Sequence, residues 1–208
     1  MNKLKIKYIF LLLLIIILVA VDQLSKYFIR RNLKYHHRYT VLKHILSFEY
    51  VENRGVAFGL FSGKKLIITV TVVLVTICII YALCIIENAI SSLNKLLSDT
   101  VVSEYADNNG IIADGTQMNI DDDIQIASVT RKFVTLQIIC IFLIAGSIGN
   151  MIDRIRCGYV VDFLQFDFIN FPVFNIADCY VTISVFVLLV MVLFFLSDKE
   201  ISLLKLRK

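Results

Sequence analysis

The chain has 208 residues, 58% of them hydrophobic, with no Trp, one Pro and a formal net charge of +4. A mean hydropathy of +0.79 excludes an ordinary soluble domain and marks a membrane protein. The small positive balance excludes nucleic acid as a partner; anionic lipid head groups account better for the basic residues. Of the five cysteines, Cys78, Cys84 and Cys140 sit inside apolar runs, and Cys157 and Cys179 flank an Asp-rich stretch. Their odd total and irregular spacing fit no metal or disulfide framework.

Lys3, Lys5 and Lys7 precede an unbroken apolar run, residues 8–21. With no small-x-small cleavage site after it and further spans to come, an uncleaved first helix is expected rather than a secretory signal peptide. Crossing a hydrocarbon core takes about 20 residues, so the helix is predicted to continue through Asp22 and Lys26 to about residue 28. These two are spaced i, i+4 with the acid first, as in a helical ion pair. Either Lys26 snorkels to the interface and neutralises Asp22, or the pair faces the bundle and braces a site there.

Residues 29–65 are polar and basic. Leu46, Phe48 and Tyr50 alternate with Ser47, Glu49 and Val51, which predicts a half-buried strand, and Asn53-Arg54-Gly55 supplies turn chemistry. A small sheet lying on the membrane is expected. His36, His37 and His44 have no ligand spacing and read as solvated. Residues 66–86 form a second span. From about 87 to 132 the chain is acidic; Asp99, Glu104, Asp107, Asp114, Asp121, Asp122 and Asp123 fall in a stretch without Lys or Arg. A mobile loop is expected there. The Asp121–Asp123 run lacks the glycine and glutamate of a calcium loop.

Residues 133–152 form a third span that ends on Gly146, Gly149, Asn150 and Asp153, all on one helix face. The glycines permit close approach of another backbone, which would bury the two polar residues against it. Residues 179–197 form a fourth span. Four spans put both termini on one side, but Lys and Arg divide equally between the two sides, so the positive-inside rule gives no orientation.

Residues 146–178 carry Asp153, Asp162, Asp167 and Asp178. A carboxylate costs roughly 2.5–3.5 kcal/mol at the centre of a span on the lenient insertion scale, so four gathered around the edge of a membrane each ask for a reason. Two carboxyls held close together cannot both ionise cheaply, and the pair keeps one proton, as in an aspartic protease. Asp162 and Asp178 are the candidates; two interfacial aspartates capping helix ends is the other reading that the residues alone allow.

Five blocks carry a family resemblance: Asp22-Gln23-Leu24-Ser25-Lys26, Glu52-Asn53-Arg54-Gly55-Val56-Ala57-Phe58, Gly149-Asn150-Met151-Ile152-Asp153-Arg154, Gly158-Tyr159-Val160-Val161-Asp162-Phe163 and Phe174-Asn175-Ile176-Ala177-Asp178. In order and at the ends of four spans, they resemble the bacterial lipoprotein signal peptidases, also called signal peptidase II. The resemblance covers most of the chain outside about 88–130. It implies an all-α membrane protein, a four-transmembrane-helix bundle with a small extracytoplasmic β-sheet cradling the substrate between helices 1 and 2. The whole chain, 1–208, would be one peptidase domain with an acidic, flexible cytoplasmic insertion at about 88–130.

The activity so implied is removal of the signal peptide from prolipoproteins, cleaving before a diacylglyceryl-modified cysteine by an aspartyl mechanism without metal or cofactor. Asp162 and Asp178 match the family's catalytic pair. Asn53, Arg54, Gly55, Asn150, Arg154, Asn175 and Ala177 fall in the motifs placed around that pair and the substrate, and Asp22, Lys26 and Asp153 match its supporting charges. The resemblance further implies a monomer in the bacterial cytoplasmic membrane, in contact with membrane lipids, with both termini cytoplasmic, the active site at the outer face, and sensitivity to globomycin-type cyclic peptides. Two departures stand out, the acidic insertion and Cys179, where small residues such as Ser or Ala are common. A proton-conducting transporter using Asp22, Lys26 and Asp153 would need ionisable residues at several depths, which the second and fourth spans lack. A scaffold recruiting a partner through the acidic stretch would depend on residues 96–130.

Overall fold

The computed structural model describes residues 3–35, 38–55, 65–108 and 120–204. Within these the order is α1 (Lys3–Leu33), β1 (Tyr39–Leu42), β2 (Leu46–Asn53), α2 (Lys65–Asn108), α3 (Ile120–Cys157), β3 (Val160–Phe166), α4 (Ile176–Val190) and α5 (Asp198–Leu203). Among the described residues, four stretches are long and apolar enough to cross a membrane: Ile6–Leu33, Val70–Ser98, Ile124–Cys157 and Ile176–Phe195. The last includes a π-type turn over Met191–Phe195.

The first compact unit comprises residues 1–79 and 141–186. Its three-stranded sheet is antiparallel, in the order β1-β2-β3. The predicted strand is β2, but Ser47, not its apolar neighbours, is the residue fully buried there. Its hydroxyl donates to Asp167 Oδ2 at 2.7 Å. A bulge between Phe48 and Val51 shifts the register, after which Val51 faces Asp162 and Asn53 faces Val160. The third strand, β3, follows the third membrane helix and carries Asp162, so the sheet is not built wholly between α1 and α2. No strand is evident there in the sequence because Val160, Val161, Asp162 and Phe163 are all buried. A strand covered on both faces loses the alternation that betrays a half-exposed one.

Gly158, with φ 83°, makes the reversal from α3 into β3 possible. Its N–H donates to Arg154 O at 3.1 Å, closing the helix in the left-handed conformation that glycine adopts without a Cβ clash. Ile29 of α1 and Val161 and Phe163 of β3 form a core against which Phe48, Tyr159, Leu164 and Ile176 pack. The end of the first helix, the sheet and the start of α4 are thereby held together.

The second unit comprises residues 80–140 and 187–208. The stretch expected to be a mobile loop is helical through Asn108 and again from Ile120; Asn109, Gly110 and Asp114 lie outside the described residues, as do His36, His37 and Val56-Ala57-Phe58. Apolar side chains at helical spacing explain the difference. Ile86, Ile90 and Leu93 are buried along α2, and Ile126, Val129, Phe133, Leu136 and Cys140 along α3, apolar stripes of the kind that hold a helix against its neighbours and that a count of charges does not register. Gln137 Nε2 donates to Glu87 Oε2 at 2.6 Å. Ser197 and Glu200 form a capping box that starts α5, and Lys132 pairs with Glu200 at 2.8 Å.

Candidate functional site

Asp162 enters the site from β3, and its side chain is held on both oxygens. Asn53 Nδ2, from the end of β2, donates to Oδ2 at 2.8 Å, and Asn175 Nδ2, from the residue before α4, donates to Oδ1 at 2.6 Å. Asp178 lies in the first turn of α4. It accepts from Asn150 Nδ2 at 2.8 Å and from the Asn175 backbone N–H at 3.3 Å, while its own N–H donates to Asn175 Oδ1 at 2.9 Å. Asn175 thus contacts both aspartates, its amide oxygen capping the helix that carries one and its amide nitrogen binding the other. An Asn at a helix start is well suited to this, since its short side chain reaches the unpaired N–H groups of the first turn.

Burial pushes the Asp162 carboxyl up to about 7, and the negative charge of Asp178 acts in the same direction. The bonds from Asn53 and Asn175 pull the other way without cancelling the rise. Both carboxyls border one cavity of about 560 Å³, with Asn53, Asn150 and Arg154 as further polar walls. Gly146, Val181, Phe171, Pro172 and Phe174 supply apolar walls. The volume is that of a small-ligand site, and a few polar groups converging in an apolar setting is the usual composition of one.

Behind the cavity lies a second polar layer. Lys26 and Asp22, 2% and 0% exposed, do not snorkel; they face inward. Lys26 Nζ lies 2.9 Å from Asp22 Oδ2 and 3.3 Å from Asp153 Oδ2, and donates to Asn150 Oδ1 at 2.9 Å. Asn150 Oδ1 also accepts from Asn175 Nδ2 at 3.2 Å, so the lysine is connected to both aspartates through amides. Asp22 Oδ1 accepts the Ala177 N–H at 3.0 Å, tying α1 to the start of α4. Asp153 Oδ2 accepts the Val161 N–H at 3.1 Å, tying α3 to β3. The predicted glycine seam is present: a Cβ on Gly149 would stand 2.5 Å from Asp22 Oδ2, and one on Gly146 would stand 2.6 Å from Ala177 O.

Arg154 is buried and reaches toward Gly55 O and Asn150 O, each at 3.5 Å, and the Gly55 N–H donates to Asn53 Oδ1 at 2.9 Å. That bond is the side chain-to-backbone turn that Asn-x-Gly favours, and it orients Asn53 toward Asp162. Arg54 is not brought into the cavity. Its side chain is 69% exposed and pairs with Glu52 at 3.2 Å, lying over the Tyr159 ring at 5.9 Å. Gln23 was not singled out from the sequence, yet its amide donates to Gly149 O at 3.0 Å, Asp22 Oδ2 at 3.2 Å and Asp153 Oδ1 at 3.3 Å. Its sequence signal is its place in the Asp22–Lys26 block; adjacency to Asp22 gives no further pointer, because residues i and i+1 on a helix do not ordinarily share a face.

The family described as Signal peptidase (SPase) II matches residues 14–106 and 124–194. The chain is 31% identical over 168 residues to a lipoprotein signal peptidase of Enterococcus faecalis, covering 81% of this chain and 78% of that protein. It is 32% identical over 171 residues to one of Caldanaerobacter subterraneus subsp. tengcongensis, covering 82% and 86%. Among solved structures it is similar to a bacterial membrane enzyme determined by the in meso method at 2.3 Å resolution, with a TM-score of 0.60 and 26% identity over 95% of this chain and 93% of that one. With four helices able to span a membrane, an accompanying antiparallel sheet, and this similarity along most of its length, the chain belongs to the signal peptidase II family.

Proposed function

We propose that this peptidase of the lipoprotein signal peptidase family works by aspartyl catalysis, with Asp162 and Asp178 sharing one proton. The observation that carries the reading is that two carboxyls from separate elements border one cavity, Asp162 being held up to about 7 by burial and by its neighbour's charge. In the reaction, the ionised carboxylate takes a proton from water as the water oxygen attacks the scissile carbonyl. The protonated partner donates to the carbonyl oxygen, and the tetrahedral intermediate collapses with a proton passing to the departing amine. Asn53, Asn150 and Asn175 hold the carboxyls in place. Asp22, Lys26 and Asp153 support them from behind, and Arg154 lines the substrate side. Asn53, Arg54 and Gly55 form the turn that the peptide passes.

The substrate is a prolipoprotein cut before a diacylglyceryl-modified cysteine, whose acyl chains stay in the bilayer while its peptide bond meets water. We place both termini in the cytoplasm, the site at the outer face of the cytoplasmic membrane, and the whole chain in one monomeric catalytic unit, in contact with lipid and inhibited by globomycin-type peptides. The test is cleavage of a diacylglyceryl-modified prolipoprotein by purified protein in detergent, with and without chelator. Activity should survive the chelator and fall by about 100- to 10,000-fold in Asp162→Asn and in Asp178→Asn, as expected when an acid–base group is lost. Full cleavage by either variant would remove that residue from the mechanism, and loss to chelator would require a metal.

A further inference from the structure

The loop from β3 to α4 reads Asp167-Phe168-Ile169-Asn170-Phe171-Pro172-Val173, and its apolar groups point outward. Phe168, Ile169 and Phe171 are 62%, 47% and 41% exposed. The loop is braced from behind. The Phe166 ring lies 5.6, 6.2 and 5.0 Å from the rings of Phe168, Phe171 and Phe174, and Phe171 meets Phe174 edge to face at 5.7 Å. Gln165 Nε2 donates to Phe171 O at 3.3 Å, and Phe174 is bridged to Leu164 of β3. Asp167 N–H donates to Ile45 O at 3.0 Å, which sets the loop beside the tip of the β1–β2 hairpin. There Leu42 and Ile45 are exposed too, next to the exposed cation Lys43.

We infer that the 168–171 loop and the hairpin tip form a foot seated in the bilayer interface, with phospholipid as its occupant. The surface continues into the membrane-crossing part of the chain. Four residues separate Phe171 from Ile176, where a span begins, and the five steps from one to the other reach at most about 18 Å when extended. Ile183, Val185 and Phe186 on α4 are likewise exposed and apolar. Phe and Ile side chains fixed outward beside a lysine suit shallow seating at the boundary between head groups and acyl chains, as on the apolar face of an interfacial helix flanked by basic residues. Because the wedge is already ordered, seating it costs little conformational entropy. Phe171, Pro172 and Phe174 also wall the cavity, so the foot fixes the depth at which the cavity meets lipid. This surface is independent of the roles assigned to Asp162 and Asp178.

The sequence contains no Trp, so Phe168→Trp introduces a single fluorophore. The full-length variant is placed in nanodiscs of phosphatidylcholine and phosphatidylglycerol, either plain or brominated at the glycerol end of the acyl chains. A seated loop gives blue-shifted emission, loses most of its intensity to the brominated lipid and resists aqueous iodide, consistent with a depth of about 5–10 Å. Ile169→Trp repeats the measurement should the first variant fold poorly. Emission as in water, quenched by iodide and indifferent to bromine, would overturn the inference. Blue-shifted emission untouched by brominated lipid would overturn it too, because a protein surface would then cover the loop.

Discussion

Asn175 Nδ2 donates to Asp162 Oδ1 at 2.6 Å, while the other end of the same amide caps the helix that carries Asp178. One side chain therefore fixes the position of one carboxyl and the orientation of the helix bearing the other. Asn175→Ala frees both. A loss of about 100-fold in kcat is expected from misplacement alone. Because the lost bond lowers the Asp162 pKa, the alkaline limb of the pH–rate profile should move upward as well. A variant slowed with no movement of that limb would make Asn175 a packing residue only.

The shared proton gives the pH dependence a sign. As pH rises through about 7, Asp162 releases the proton that the pair needs, so kcat/KM should fall on the alkaline side, by about tenfold per pH unit. A profile measured in detergent at constant ionic strength checks this, and its midpoint belongs to the pair rather than to either residue. For stability, the folded carboxyl keeps its proton to about 7, whereas an ordinary aspartate ionises near 3.8. The group's contribution is thus full below the lower value and is lost as pH rises through the upper one.

Lys26 is enclosed with two carboxylates, Asp22 and Asp153, within 3.3 Å. Lys26→Met leaves those acids without their cation, and breaking a buried ion pair in this way costs about 3–5 kcal/mol. Thermal unfolding of the purified variant should show the loss directly. The Arg54–Glu52 pair is largely exposed, and Arg54→Gln should alter stability by less than about 1 kcal/mol.

Gly149→Ala drives a methyl group to 2.5 Å from Asp22 Oδ2 and 3.3 Å from the Ala177 side chain. Asp22 is itself fixed by Lys26 and by the Ala177 N–H, so relief requires α1 and α3 to separate. A destabilisation of about 1–3 kcal/mol is expected, as for other overpacked contacts. Wild-type thermal stability in this variant would show that the seam has slack.

Along the chain, apolar length alone sets the four spans and, through them, the side-by-side ends at which the motifs collect. The i, i+4 order of Asp22 and Lys26 and the single face shared by Gly146, Gly149, Asn150 and Asp153 are likewise local consequences of helical geometry. Whether Lys26 points to water or to Asn150, however, depends on what packs against α1, and only the fold decides that. The strand β3 was invisible because burial on both faces removes any period. The helices through the acidic stretch were obscured because net charge says nothing about a stripe such as Ile86, Ile90 and Leu93. Asn175 as the link between Asp162 and Asp178, and Gln23 among three backbone and carboxylate partners, arise from segments far apart in sequence meeting in space. Such contacts form at distances that residue order does not encode.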